Sequence, residues 1–542
     1  MRISILLLLA VVLMLERPSS NPRQHPVPRD AWVPDNGDGT YTNPVIFADY
    51  SDPDVIRVGD DFYLVSSSFN CVPGLPVLHS RDLVNWEIMG HVFDKLPSPM
   101  FEKPQQGKGC WAPSIRYHDG QFWVFYGDPD LGVFTSRARK PEGPWEPLVC
   151  IKEAKGWIDP CPLWDDDGNA YLVHAWAKSR AGFNSILTVN RLSPDARRIL
   201  DAGVTVFDGH RNHPTIEGPK FYKRSEYYYI LAPAGGVPTG WQVALRAKNV
   251  YGPYEEKVVL HQGATKINGP HQGAWVETQT GESWFVHFQD RGPYGRVVHL
   301  QPVVWRNDWP VMGSDPDHDG NGEPVTRWKK PDVLRQYAIL NPQTSDEYES
   351  ATLGLQWQWP ANPAVGWYSL SAEKGVLLLY TVALPESVAG LWNAPNLLLQ
   401  KFPAPAFTAT TLLKFNPTMA GEKAGLLVMG RDYSYLALVS EADGMRLTKV
   451  VCRNADGGVE EEEAGVRVGD VPISMSIEVD TGAICRFRYS LDGARFEQIG
   501  KPFQSRVGAW IGAKVGLFST ASRKPENVGH GDFQWFRISP AQ

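Results

Sequence analysis

Apolar and polar positions along this chain alternate in short runs rather than forming helical stripes. One pattern, a turn followed by an aromatic-rich strand, recurs five times. Its copies are Gly59-Asp60-Asp61-Phe62-Tyr63-Leu64, Asp119-Gly120-Gln121-Phe122-Trp123-Val124, Asp167-Gly168-Asn169-Ala170-Tyr171-Leu172, Ser225-Glu226-Tyr227-Tyr228-Tyr229-Ile230 and Gly281-Glu282-Ser283-Trp284-Phe285-Val286. The spacing, about 50–60 residues, is that of propeller blades. A second element follows three of them: Ser80-Arg81 with Trp86-Glu87, Ser136-Arg137 with Trp145-Glu146, and Leu245-Arg246 with Tyr254-Glu255. These read as the third and fourth strands of blades one, two and four. The pattern predicts a five-bladed β-propeller over 40–330. Residues 327–341 read as a linker. Over 343–540 the aromatic repeat gives way to alternating strands, such as 424–430 and 435–439, with frequent turns; this predicts a β-sandwich. The acidic run 460–463 reads as a solvated loop.

Length and composition sharpen this picture. A chain of 542 residues is too long for one ordinary core, so two domains are expected. The 20 Trp, 20 Tyr and 22 Phe, with abundant Gly and Pro, fit an all-β protein. A net charge of −7 offers no basic footprint for nucleic acid. Behind Arg2, the apolar run 5–15 reads as the core of a signal peptide spanning 1–20. It is too short to span a bilayer, so the expectation is a secreted or periplasmic protein with no membrane partner. The six cysteines lack metal-ligand spacing. In an oxidising compartment they leave room for one or two disulfides.

Stepping back about a dozen residues from each strand aromatic, one short strand plus a turn, leads to Asp52, Trp111, Asp159, Glu217 and His271. The innermost strand of every blade lines one central axis, so five such starts converge. Paired carboxylates without a metal cluster or a Ser-His-Asp pattern suggest glycoside hydrolysis. A third carboxylate keeps a neighbouring acid protonated by repulsion. Taken singly, Asp before Pro is more often a turn cap; the shared register favours chemistry.

The blade-start motifs Asn43-Pro44-Val45 to Ser51-Asp52-Pro53-Asp54, Trp111-Ala112-Pro113-Ser114, Trp157-Ile158-Asp159-Pro160 and Ile216-Glu217-Gly218-Pro219 resemble those of glycoside hydrolase family 43, in order. The part after the propeller resembles the concanavalin-like sandwich of β-xylosidases in that family. The resemblance implies Asp52 as general base, Glu217 as general acid, and Asp159 as the residue that holds Glu217 and raises its pKa. It implies Trp111 and Phe69 as walls of the sugar subsite. Arg296 is implied as a donor to sugar hydroxyls, with Arg291 as competing candidate. It also implies calcium at the propeller axis with His271 as a ligand, although a hard cation prefers oxygen and a core histidine is the other reading. The chemistry itself requires no cofactor. The stretch 315–323 starts like a calcium loop but has Thr326 where the bidentate Glu belongs, so a polar turn is expected. In related two-domain enzymes a sandwich aromatic closes the pocket; here Trp510 is expected in the sandwich core instead. The implied activity is an inverting exo-glycosidase releasing terminal β-D-xylose or α-L-arabinofuranose from hemicellulose oligosaccharides. The alternative is a non-catalytic carbohydrate-binding propeller, since fold does not fix function.

Overall fold

The computed structural model describes residues 30–371, 373–384, 390–523 and 527–541; the expected signal peptide lies outside them. Five four-stranded antiparallel sheets follow one another along the chain, and two larger sheets come after them. The first strands of the five are Asp54–Val58, Trp111–His118, Trp157–Trp164, Lys220–Arg224 and His271–Glu277. Each pairs with an aromatic-rich second strand: Asp61–Val65, Gln121–Asp128, Ala170–Trp176, Tyr227–Ala234 and Ser283–Asp290. Within a blade, spatial order is chain order, so the first strand forms one edge. First strands of successive blades one to four touch, and that of blade five touches that of blade one, which gathers these edges round the axis.

The aromatics explain the wedge shape of the blades. Phe125 of blade two and Leu172 of blade three share one cluster, and Leu231 of blade four and Phe285 of blade five share another. Wide, flat side chains fill the widening gap between diverging sheets. The ring is closed by a strand from each end. Thr40–Thr42 pairs with Arg327–Lys329, so the first three residues of the expected linker are a closing strand. Asn43 locks the closure: its Nδ2 donates to the carbonyls of Leu300 and Val325, and its Oδ1 accepts from the Leu300 amide.

The second part is a sandwich of an eight-stranded and a seven-stranded sheet. Leu413, Ile477 and Phe533 from one sheet meet Leu426, Leu436 and Leu517 from the other. Val65 and Tyr126 of the propeller belong to the same continuous core, so the two parts share apolar packing. The acidic run is not a loop. It opens the strand Glu460–Val468 at the edge of the seven-stranded sheet, where charge discourages pairing with another chain. Glu460 accepts from Tyr433 and Tyr435 and pairs with Lys423. All six cysteines are free thiols, five of them buried.

Candidate active site

Each blade begins with one residue at positive φ: Asp52 at 55°, Ala112 at 31°, Asp159 at 58°, Gly218 at 57° and Gln272 at 29°. The next residue is Pro53, Pro113, Pro160, Pro219 or Gly273. In blades two, three and five this residue sits in a β-bulge, with register shifts between Trp111 and Ser114, Ile158 and Cys161, and His271 and Gly273. A bulge inserts one residue and re-aims a side chain. The equivalent positions are therefore Asp52, Ala112, Asp159, Gly218 and Gln272. Trp111, Glu217 and His271 stand one residue earlier, which corrects the single register expected for all five. Counting back from the aromatics treats every blade start as one length and cannot see this offset.

These starts surround a pocket lined by Asp52, Phe69, Trp111, Asp159, Glu217 and Arg296. Six of the seven residues expected at the site thus come together, and His271 stands directly behind them. Ile158, Val237, Gln272 and Trp510 also line the pocket and were not expected there. Gln272 was legible in the sequence as the residue that matches Asp52 and Asp159 once the motifs are aligned on the Pro or Gly that follows.

Asp52 is buried and densely bonded. Its Oδ2 accepts from Ser67 Oγ at 2.5 Å, and Arg296 Nη1 lies 3.1 and 3.2 Å from its two oxygens. Ser67 Oγ in turn accepts from the Ala112 amide, tying blade one to blade two. Arg296 is thus first a partner of Asp52. Its Nε and Nη2 make no hydrogen bond among the described residues and remain on offer to a ligand. The competitor Arg291 lies outside the pocket, over the ring of Phe47.

Asp159 Oδ2 accepts from the Gly218 amide at 2.7 Å, which fixes the backbone next to Glu217. Burial, reinforced by the nearby Glu217 and Asp52, pushes the Asp159 carboxyl well above its ordinary value of 3.8. The folded protein therefore keeps a proton that the unfolded chain has already lost, and stability falls as pH rises from 3.8 through the folded value. Asp159→Asn keeps an acceptor for Gly218 and removes that slope. Its Tm relative to wild type should rise between pH 4 and pH 7 by scanning calorimetry; a constant difference would contradict the repulsion.

Glu217 is half-buried, and its Oε1 lies 3.0 Å from Nε2 of the fully buried His271. The aromatic walls are Phe69, Trp111 and Trp510. Ring centroids are 6.2 Å apart for Phe69 and Trp111, and 6.0 Å for Trp111 and Trp510. Trp510 is 55% exposed rather than a sandwich core residue. It sits at φ 66° in the turn before the strand Lys514–Ala521, which carries it out of the sheet and over the pocket. The carboxylate of Asp49 holds this arrangement together: Oδ1 accepts from the Arg296 amide and Oδ2 from the Gly512 amide, each at 2.9 Å.

Residues 41–310 match the model described as glycosyl hydrolases family 43, and residues 345–539 match that of the beta xylosidase C-terminal concanavalin A-like domain. A putative beta-xylosidase of Xylanibacter ruminicola is 40% identical over 492 residues, covering 90% of this chain and 87% of that protein. The chain belongs to glycosyl hydrolase family 43. Within the family it is also similar to the non-reducing end alpha-L-arabinofuranosidase BoGH43B of Bacteroides ovatus, at 30% identity over 92% of this chain and 94% of that one. The crystal structure of the GH43 BlXynB protein from Bacillus licheniformis superposes with a TM-score of 0.80 at 26% identity, covering 92% of this chain and 99% of that one.

The protein is a glycosidase. His271 Nδ1 is buried without a partner, so one ring nitrogen is on offer at the axis. No described carboxylate converges on that atom. The group of three donors that does converge, Asp315, Asp317 and Asp319, lies in the loop after blade five. There Asp317 and Asp319 accept from the amides of Asp319 and Asn321, as turn residues do. A hard cation with a single nitrogen donor would be held chiefly by water, and it would supply charge and rigidity at the axis rather than a reacting group.

Proposed function

We propose that this family 43 glycosidase removes terminal β-D-xylose or α-L-arabinofuranose from hemicellulose oligosaccharides, with inversion at the anomeric carbon. The observation that carries the reading is the pocket itself: walled by aromatic rings, with Asp52 and Glu217 both lining it and held by separate partners. In this reading Glu217 protonates the departing oxygen and Asp52 draws a proton from the attacking water. Asp159 is a positioning residue that acts through the Gly218 amide. Trp510 reaching over the propeller supports exo action, because a walled pocket admits a chain end rather than its middle. The names of the relatives support both sugars. A sugar binder without catalysis has no use for Asp159 held against two other carboxylates, whose repulsion destabilises the site.

The test is hydrolysis of aryl β-D-xylopyranoside and aryl α-L-arabinofuranoside, followed by proton NMR. The first-formed sugar should carry the anomeric configuration opposite to that of the substrate. Retained configuration would overturn the assigned roles of Asp52 and Glu217. Release from neither glycoside would overturn the pentose reading.

A further inference from the structure

We infer that Gln272 is a substrate-binding residue of this pocket, its carboxamide hydrogen-bonding a hydroxyl of the sugar unit being removed. The inference rests on the glycosidase reading above and deepens it.

The first argument is position. Gln272 holds in blade five the place that Asp52 holds in blade one and Asp159 in blade three, and all three side chains line the pocket. In blades two and four the same place is taken by Ala112 and Gly218, which bring no polar group. Of five equivalent positions, the three with a polar side chain all present it to the same cavity.

The second argument is an unmet demand. Gln272 is 4% exposed, and its Nε2 is buried with no hydrogen-bond partner. No described group bonds its Oε1 either. A buried amide left unpaired is costly. The backbone adds to the cost: φ of 29° is unfavourable for a residue with a Cβ. The same positive φ recurs at Ala112 and belongs to the blade start, but the unpaired buried amide at the wall of a ligand cavity is explained by a ligand.

The third argument is room. A Cβ on Gly218 would stand 2.7 Å from both Cγ and Cδ of Gln272, so the glycine after Glu217 leaves the space the amide occupies. The other polar side chains in the wall are the carboxyls of Asp52, Asp159 and Glu217, which the proposed chemistry engages, and Arg296, which only donates. Sugar hydroxyls both donate and accept, and the Gln272 carboxamide can do both.

The test uses the full chain with Gln272→Ala and Gln272→Gly, the second of which removes the backbone strain and safeguards folding. Substrates are the two aryl glycosides and the monodeoxy analogues of whichever is cleaved. On the parent glycoside kcat/KM should fall about tenfold or more. On one deoxy analogue, the one lacking the bonded hydroxyl, variant and wild type should be equal, and Tm should not fall. Parent-substrate values within about twofold of wild type, or the same loss on every analogue, would overturn the assignment. If wild-type enzyme cleaves neither parent glycoside, the substrate reading fails and this inference falls with it.

Discussion

Asp52→Asn should lower kcat by about 10²–10⁴-fold, and by the same factor for every leaving group. The side chain keeps its size and can still accept from Ser67, so the geometry of the blade start survives. What is lost is the basicity that takes a proton from water, and water attack does not depend on the chemistry of the departing group. Arg296 also loses its counter-charge in a buried setting, so Tm should fall as well. Kinetics across a series of aryl glycosides check this. A loss confined to poor leaving groups would mean that Asp52 serves the departing oxygen instead.

Glu217→Gln should show the complementary pattern. Against a leaving group that needs protonation, kcat should drop by about 10²–10⁴-fold; against one that departs readily as an anion, most of the rate should return. The amide can still accept from His271 Nε2, so the pocket wall stays in place. The Brønsted plot of log kcat against leaving-group pKa should therefore be steep for Glu217→Gln and parallel to wild type for Asp52→Asn. Parallel lines for both variants would remove the acid role from Glu217.

Much of this was legible in the chain because blades repeat. Each second strand needs wide aromatics to fill the gap to its neighbour, and each turn needs a residue at positive φ, Gly in four copies and Ser225 in the other, so five copies of one constraint stand out from the background. The blade-start residues followed from counting, and so did their convergence. The count missed the bulges. One inserted residue leaves the hydrophobic spacing of the strand intact while moving the functional side chain by one position, which is why Gln272 was passed over for its neighbour His271. Trp510 was misread for another reason. A Trp in a Gly-flanked turn of a sandwich looks like core unless the partner surface is known, and that surface belongs to residues such as Gly107 and Trp111, some 400 positions earlier. The acidic run was read as loop because charge density hid the period of a strand whose free edge faces water. Arg327–Lys329 looked like linker because three residues carry no pattern; the strand exists only through its pairing with Thr40–Thr42.

The carboxylate of Asp49 sets a timetable for biosynthesis. Its two amide partners belong to Arg296 and Gly512, the second separated from it by 463 positions. A growing chain can complete all five blades, with Asp52 and Glu217 in place, and still have one oxygen of Asp49 waiting. The tryptophan wall arrives only with the residues around Gly512. The pocket seen here is therefore complete only once the chain is nearly whole, and a chain that stops after the propeller lacks one of its walls.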